Sequence, residues 1–249
     1  MKKNAYDEMF AVEDSHWWYI TLHDLVSLLS ERQFSRQPLK ILDAGCGTGG
    51  LLSVLSEAGH DTEGIDYSED ALNFCRKRGL EKVTRADVNV WVPTPQSYDL
   101  IASMDVLCHA WVHDQTKVLR TLAAGLKDDG LIMVNYPAFQ FLSRNHDRVV
   151  MVRERYTKKT LKKYLAEAGL TPILLSYRLP HAFLYLIFLR LYEASRRNNI
   201  EAKSDIAEIP SSFFNRSLIQ IGKLENRLIA RGISMPFGSS LFVVAKKVG

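Results

Sequence analysis

The stretch ILDAGCGTGG, residues 41–50, decides the fold of this chain. Apolar residues and Asp43 lead into a loop that is rich in glycine. The next segment, LLSVLSEAG at 51–59, places its apolar residues close to the i, i+3, i+4, i+7 spacing of a helix face. This order predicts a strand, a tight glycine turn and a helix, the first unit of a doubly wound nucleotide-binding fold. Glycine suits such a turn because a side chain would block close approach of a ligand, and because tight turns often need positive φ.

Two kinds of ligand fit the glycine loop. Gly45, Gly47 and Gly50 satisfy G-x-G-x-x-G, the dinucleotide fingerprint. However, Asp43 stands two residues before the first glycine, where its carboxylate would repel a pyrophosphate bound at the helix N-terminus. A ligand with a cationic amino group would be attracted instead. S-adenosylmethionine carries an ammonium, a sulfonium and an adenosine, so it suits this charge. A nicotinamide-dinucleotide-dependent oxidoreductase is the alternative.

The run DAGCGTG at 43–49 resembles the first motif of the class I S-adenosylmethionine-dependent methyltransferases, of the small-molecule type. Further landmarks of that family follow in order: an acid after the second strand, an acid after the third, and a D-L-I strand at 99–101. The resemblance implies an α/β Rossmann-like fold, a doubly wound seven-stranded sheet whose last strand is antiparallel. It also implies S-adenosyl-L-methionine as cofactor and S-adenosyl-L-homocysteine as product, and it requires no metal.

Composition and charge narrow the class of protein. The chain has 249 residues, of which 47% are hydrophobic and 24% charged, which is ordinary for a globular protein with a full core. Its net charge is +4 and its basic residues are dispersed, so no nucleic-acid partner is expected. The three cysteines lie far apart without a C-x-x-C, so neither a disulfide framework nor a zinc site is predicted. The N-terminus has acids and no apolar h-region, which favours a cytoplasmic protein.

We predict four consecutive parts: an N-terminal helical cap at 1–38, a cofactor-binding core at 39–180, a helical insertion or lid at 181–236, and the last strand of the core at 237–249. The segment 13–34 has the apolar spacing of an amphipathic helix.

The insertion between the predicted strands six (171–179) and seven (239–248) contains two helical patterns. The first contains Arg190 and is too short to span a bilayer. Its dense apolar face is expected to pack on the N-terminal helix as a lid. A homodimer contact or a peripheral membrane contact through 181–235 is the alternative.

Acids near the ends of successive strands are the other predicted cofactor contacts. Asp66 ends the second strand, where a carboxylate can accept hydrogen bonds from ribose hydroxyls, and Tyr67 would stack near the adenine. By the resemblance, Asp87 takes the adenine amino group while the Val88 N–H meets a ring nitrogen. The remaining predicted cofactor-binding residues lie in the glycine loop and after the fourth strand: Asp43, Gly45, Cys46, Gly47, Gly49, Met104 and Asp105.

The acceptor side is predicted from two further motifs. The run DVLCH at 105–109 resembles the V-L-x-H segment of ubiquinone-type methyltransferases, so His109 should approach the methyl group or the substrate. Histidine is the side chain best able to take a proton near neutral pH. The segment 13–19, with its acid-x-x-H-W-W-aromatic pattern, resembles the N-terminal cap of small-molecule methyltransferases. The predicted catalytic residues are His109, His146 and Tyr156, and the predicted substrate-binding residues are Tyr19, Tyr136, Phe139 and Phe141.

These assignments predict methyl transfer to an O or N atom of a small metabolite by in-line displacement. Most of the catalysis would then be alignment and desolvation, with a nearby His or Tyr as base. His146 stands beside Asp147, which suggests a polarised base. Besides the dinucleotide enzyme, a non-catalytic cofactor-binding subunit of a biosynthetic complex is a second alternative.

Overall fold

A seven-stranded sheet forms the centre of the part of the chain that the structure describes. The computed structural model describes residues 3–35, 38–144, 147–148, 150–195 and 209–248. The strands are β1 Lys40–Ala44, β2 Asp61–Asp66, β3 Val83–Arg85, β4 Tyr98–Met104, β5 Leu126–Pro137, β6 Leu170–Arg178 and β7 Ser240–Lys247.

The order of the strands in the sheet is β3-β2-β1-β4-β5-β7-β6. β7 runs antiparallel to both of its neighbours, and the other pairs are parallel. This arrangement confirms the predicted Rossmann-like doubly wound sheet with an antiparallel last strand. β5 is the longest of these strands, with 12 residues.

Helices cover both faces of the sheet and close one end of it. They are α1 Lys3–Val12, α2 Trp17–Gln33, α3 Gly50–Glu57, α4 Glu69–Lys77, α5 Gln115–Ala124, α6 Lys158–Glu167, α7 Pro180–Ser195 and α8 Ser212–Ala230. No separate helix was predicted for α1, although the segment lies within the predicted helical cap at 1–38. Tertiary contacts hold α1 in place. One of them is the stacking of Phe10 on Phe74 of α4, with ring centroids 4.5 Å apart.

Several helix ends follow from local chemistry that the sequence already displays. Ser68, Asp114 and Thr157 are the N-caps of α4, α5 and α6, where each side chain accepts a backbone N–H of the first turn. Gly169 follows α6 with φ of +75°, a conformation that glycine adopts without steric cost.

Two apolar layers hold the helices against the sheet. On one face, buried side chains of α5 and α6 pack on β4, β5 and β7. On the other face, Leu22, Leu25 and Leu29 of α2 pack with Ile229 of α8 against Phe242 of β7. A fully buried leucine contributes about 1.5–3 kcal/mol through removal of apolar surface from water. The second layer therefore fixes α2 and α8 above the sheet as a pair.

Hydrogen bonds join α8 to α2 along their whole contact. The Asn226 side-chain amide donates to the Thr21 carbonyl at 2.7 Å and to Asp24 at 2.8 Å. At the other end, Asn215 accepts from the Trp17 N–H at 2.9 Å and donates to the Ser15 carbonyl at 2.8 Å. The second helix of the insertion is thus the one that packs on the N-terminal helix.

The prediction that the first helical pattern packs on the N-terminal helix was wrong for most of α7. This helix meets the N-terminal segment near its start, where the His181 ring lies 5.6 Å from the Trp17 ring. Its bulky side chains surround the helix instead of forming one stripe, and several are exposed: Leu184, Tyr185, Phe188 and Leu191. Among the described residues, no helix has the combination of length and apolar character that crossing a bilayer requires.

A substitution of Gly222 tests the close contact between α2 and α8. A Cβ atom at this buried position would collide with the Thr21 Cγ2 atom. We expect Gly222→Ala to lower the free energy of unfolding by about 1–3 kcal/mol, because overpacking outweighs the better helix propensity of alanine. Denaturant unfolding followed by circular dichroism measures this change.

Thr21→Ser removes the colliding methyl group, so the Thr21→Ser/Gly222→Ala pair should recover most of the lost stability. Arg227→Ala, at an exposed position of the same helix, should stay within about 0.5 kcal/mol of the unchanged protein. A Gly222→Ala protein that is more stable than its parent would contradict this account of the contact.

Candidate cofactor and acceptor site

The glycine loop lies at the carboxyl end of β1 and is fastened to β2. The N–H groups of Gly45 and Cys46 both donate to the Ile65 carbonyl, at 2.8 and 3.0 Å. Gly45, Gly47 and Gly49 have φ of +91°, +54° and +86°. A Cβ at Gly49 would lie 2.8 Å from a methyl carbon of Leu80. Conformation and space therefore both require glycine in this turn.

Asp43 is a buried carboxylate that lacks a partner for one oxygen. Its side chain is 3% exposed, and Oδ1 has no hydrogen-bond partner among the described residues. Burial raises the pKa of Asp43 to about 8, and the nearby charges of Glu13 and Asp66 add to this effect. A cation bound here would compensate a carboxylate that the protein leaves unpaired. The residue therefore fits the amino group of the predicted cofactor.

Asp66 ties the glycine loop to the end of β2. Its Oδ2 atom accepts the Gly47 N–H at 3.0 Å, and its Oδ1 atom accepts the Ser68 N–H at 2.8 Å. Burial raises the pKa of this carboxyl, and these two N–H groups oppose the shift. Each oxygen keeps a second lone pair, so the carboxylate can still accept a hydroxyl. Tyr67 is 62% exposed and presents an open ring surface beside it.

Asp87 and Val88 lie in the loop beyond β3, beside the strand that Asp66 ends. The Asp87 Oδ1 atom accepts the Asn89 N–H at 2.9 Å and the Asn89 side-chain amide at 2.7 Å. Val88 is buried. Asp43, Asp66 and Asp87 thus lie at or just beyond the carboxyl ends of three neighbouring strands.

β4 ends at Met104, which is half-buried, and Asp105 follows it in the turn. Asp105 has φ of +55°, a strained value for a residue with a side chain. Its carboxylate accepts the Asn135 side-chain amide at 2.7 Å, and its N–H donates to the Asn135 carbonyl at 3.0 Å. Burial raises the pKa of Asp105 to about 6, and the Asn135 hydrogen bond and the charge of Arg178 oppose the shift. β5 therefore fixes the position of this acid at the crevice.

The helix α1 covers the glycine loop. Glu13, which is buried, accepts hydrogen bonds from the Thr48 hydroxyl and from Arg78. The Met9 sulfur lies 3.3 Å from the position that a Cβ of Gly47 would take. Tyr6 is buried near Asp66, and burial raises the pKa of its hydroxyl to about 12. Tyr6 and Met9 were not among the predicted site residues, whereas Glu13 is the acid of the pattern at 13–19.

Tyr19 of α2 lies between this cap and the turn after β4. It is buried, and the pKa of its hydroxyl is raised by burial and by the charges of Glu13 and Asp105. Its ring meets the Trp18 ring edge-on at 4.9 Å. The structure thus brings this predicted substrate residue to the same crevice as Asp105.

His109 has the properties of a proton acceptor. The imidazole stacks on Trp111 with centroids 5.4 Å apart, and Nδ1 lacks a hydrogen-bond partner in the part of the chain that the structure describes. Burial lowers the pKa of His109, so the ring is neutral at pH 7.

Tyr156 is less suited to the catalytic role that we predicted for it. Its hydroxyl donates to the Glu154 carboxylate at 3.0 Å, and burial together with this charge raises its pKa. A phenol with a raised pKa keeps its proton near neutral pH. His146 lies outside the described residues. The neighbouring Asp147 accepts two hydrogen bonds of 2.7 Å from Arg155, so its carboxylate serves an ion pair.

The predicted aromatic substrate residues lie in two different settings. Tyr136 is fully buried, with its ring 4.4 Å from that of Tyr156. Phe139 stacks on Tyr177 at 4.6 Å, and the exposed Phe141 lies 5.4 Å from Phe139. Phe139 and Phe141 therefore border the surface, whereas Tyr136 belongs to the core.

Arg178, the last residue of β6, was not among the predicted site residues. Its side chain is fully buried, and its three guanidinium nitrogens have no hydrogen-bond partner among the described residues. From sequence it is one arginine after an apolar strand, and nothing distinguishes it from a solvent-exposed strand end. No group of His, Cys, Asp and Glu suited to a metal ion occurs within the described ranges.

Comparisons with known proteins agree with this geometry. A family model described as a methyltransferase domain matches residues 8–175. The chain is 30% identical over 154 residues to the ubiquinone biosynthesis O-methyltransferase of Bordetella avium, covering 55% of this chain and 61% of that protein. It is 32% identical over 133 residues to the trans-aconitate 2-methyltransferase of Rhodococcus jostii, covering 52% of this chain and 51% of that protein. The match thus spans less than two thirds of either relative.

The fold has a solved counterpart in an S-adenosylmethionine-dependent methyltransferase from Mesorhizobium loti. The two structures superpose with a TM-score of 0.60 at 17% sequence identity, over 94% of this chain and 100% of that one. At this identity the likeness concerns the fold alone. The family model, by contrast, covers more than half of the chain and includes the glycine loop and the acids at 66 and 87. The chain therefore belongs to the class I S-adenosylmethionine-dependent methyltransferase family.

Proposed function

We propose that this protein binds S-adenosylmethionine and transfers its methyl group to an O or N atom of a small metabolite. The observation that carries the proposal is Asp43, a buried carboxylate with an unpaired oxygen beside the glycine loop. A site built for a pyrophosphate would place no acid there, because negative charge at this turn repels phosphate. The names of the Bordetella and Rhodococcus relatives support a small molecule as the acceptor.

Each acid along the sheet edge would bind a different part of the cofactor. Asp43 would hold the amino group, Asp66 the ribose hydroxyls, and Asp87 with the Val88 N–H the adenine. Tyr67, whose ring is open to solvent, would cover the base. Met104 and Asp105 would line the methionine portion. When bound, the sulfonium supplies a methyl group that is activated for displacement.

The chain itself supplies alignment, a dry site and a proton acceptor. The cap formed by α1 and the start of α2 excludes water from the crevice, since Tyr6, Glu13 and Tyr19 are all buried. Alignment of two bound reactants can supply a large part of the rate enhancement of a displacement reaction. His109, neutral at pH 7 and with Nδ1 unpaired among the described residues, would take the proton that a hydroxyl or amine loses.

Substitution of Asp43 tests the identity of the cofactor. Asp43→Asn should weaken binding of S-adenosylhomocysteine by at least about 100-fold, because one charge-assisted contact to a buried group is lost. Isothermal titration calorimetry measures the affinity. Asp129→Asn, at an exposed position near the start of β5 and thus away from the carboxyl ends of the strands, is the matched control and should bind as the unchanged protein does. Binding of a nicotinamide dinucleotide in place of S-adenosylhomocysteine would establish the oxidoreductase alternative.

The raised pKa of Asp43 predicts a pH dependence of both binding and stability. The cationic ligand requires the ionised carboxylate, so affinity should rise between pH 6 and pH 7.5, a window below the free-site pKa of about 8, and binding should release a proton. Calorimetry in buffers of different ionisation enthalpy measures that proton.

The effect on stability has the opposite sign. An acid whose folded pKa is raised stabilises the fold below its unfolded pKa near 4, and this contribution is lost as the pH rises through about 8. The ligand-free Asp43→Asn protein should therefore have a higher Tm than its parent at pH 8 and a smaller advantage at pH 5. An equal difference at both pH values would show that this carboxyl does not titrate as described.

His109 and Tyr156 can be separated by their effects on turnover. With an acceptor identified by screening phenols and amines against methyl-labelled S-adenosylmethionine, His109→Asn should lower kcat by roughly 10²–10⁴-fold, the usual contribution of a general base. The affinity for S-adenosylhomocysteine should be unchanged. A loss of that size in Tyr156→Phe, with His109→Asn close to the parent, would reverse the assignment.

A further inference from the structure

The side chain of Arg178 is a buried cation without a hydrogen-bonded counterion. It is fully buried, and all three guanidinium nitrogens lack partners in the described ranges. Burial lowers the pKa of this guanidinium, which expresses the cost of keeping the charge away from water. An unpaired buried charge destabilises a fold by several kcal/mol. A ligand that supplies hydrogen-bond acceptors to this buried guanidinium would therefore explain its presence.

Arg178 ends its strand at the same edge of the sheet as the cofactor residues. β5 and β6 are both antiparallel to β7, so they run in the same direction and finish together. Ser240 of β7 is the register partner of Pro137 on one side and of Arg178 on the other. The arginine thus lies at the carboxyl ends of the strands, where open α/β sheets bind their ligands.

The guanidinium acts on groups that line the acceptor side of the crevice. Its charge opposes the rise that burial causes in the pKa of Asp105, in the turn after β4. Burial lowers the pKa of His181 at the start of α7, and the charge of Arg178 adds to that effect. Both imidazole nitrogens of His181 are without hydrogen-bond partners among the described residues. The His181 ring lies 5.6 Å from the Trp17 ring. Arg178 and His181 are therefore two polar groups that lie within electrostatic range of each other, and both lack hydrogen-bond partners in the part of the chain that the structure describes.

Glu225 of α8 is the candidate for a structural counterion of Arg178. One of its oxygens accepts the Leu179 N–H at 2.8 Å, and the other has no hydrogen-bond partner among the described residues. The two charges influence each other, but no hydrogen bond joins the guanidinium to this carboxylate. Glu225 is thus held by the Leu179 N–H, directly after β6, and by no hydrogen bond from Arg178.

We propose that Arg178 binds a carboxylate of the methyl acceptor, with His181 as a second donor, at a distance from the atom that is methylated. This inference rests on the proposed function and names the class of its substrate. The paired N–H groups of a guanidinium match the two oxygens of a carboxylate. A carboxylate carries one negative charge, which the nearby Glu225 and Asp105 tolerate better than the two charges of a phosphate monoester.

The separation between the two ends of the acceptor follows from the sheet. β6 lies three strand spacings from β4, about 14 Å at the usual spacing between neighbouring strands. The long arginine side chain extends from β6, and its charge influences the pKa of Asp105. The anchored carboxylate and the methylated atom therefore belong to opposite ends of the acceptor.

A binding experiment with paired probes tests this role without requiring turnover. The protein saturated with S-adenosylhomocysteine is titrated with benzoate, phenylacetate and hexanoate, each compared with its uncharged amide, and with phenyl phosphate, while the shift in Tm is recorded. At least one carboxylate should stabilise the protein more than its amide does. In Arg178→Met this preference should fall by at least about tenfold in affinity, and Arg178→Lys should retain part of it. The control Arg227→Met, on the exposed side of α8, should behave as the parent does.

The possible results separate this inference from the proposed function. The affinity for S-adenosylhomocysteine, measured by calorimetry, should be the same in the parent and in all three arginine variants. No preference for any carboxylate, a preference that survives Arg178→Met, or stabilisation by phenyl phosphate alone would each overturn the carboxylate site. Failure of the parent to bind S-adenosylhomocysteine would instead overturn the proposed function, and the acceptor site with it.

A second measurement excludes a purely structural arginine. In Arg178→Met/Glu225→Gln both charges are removed, and the glutamine oxygen can still accept the Leu179 N–H. If Arg178 serves a ligand, the Tm of the ligand-free double variant should equal or exceed that of its parent, because a buried unpaired charge has been replaced by an apolar side chain. A clear fall in Tm would identify Arg178 as a structural partner of Glu225 and would overturn the inference.

Discussion

The carboxylate of Asp66 is the junction on which the geometry of the site depends. Through one oxygen it holds the glycine loop that follows β1, and through the other it holds the first residues of α4. The glycine loop, the end of β2 and the N-cap segment of α4 contribute the amide groups, the acid and the exposed ring that surround the predicted cofactor position. Because two backbone N–H groups fix the carboxylate, its orientation does not depend on a ligand, and the edge of the sheet is organised in advance.

Charge is divided unequally across the crevice. At the β1 side, Glu13 and Asp66 lie close enough to Asp43 for their negative charges to add to the rise that burial causes in its pKa. At the β6 side, the buried guanidinium of Arg178 lies near the buried carboxylate of Glu225 but forms no hydrogen bond with it. In the proposed site, the β1 side would bind a cation and the β6 side an anion. A small molecule that lies between them is oriented by this difference before any specific contact forms.

Local features of the sequence predicted the doubly wound fold. The glycine loop and the acids near strand ends depend on residues a few positions apart, and their roles in cofactor binding stay predictions. Longer-range features were not predictable in this way. The place of α7, the contact of α8 with α2, and the burial of Arg178 depend on residues that are distant in the chain. The position of α1 likewise depends on a distant contact, that of Phe10 with Phe74.

The contact between α2 and α8 joins parts of the chain that are far apart in sequence. The hydrogen bond from Asn226 to Thr21 spans 205 positions, and the one from Asn215 to Ser15 spans 200. Closing loops of this length has a large entropic cost and slows folding. The strands from β1 to β5 can pair before these contacts exist. In contrast, α2 can make these contacts only after α8 has formed. The site therefore reaches its final form late in folding, after most of the sheet beneath it.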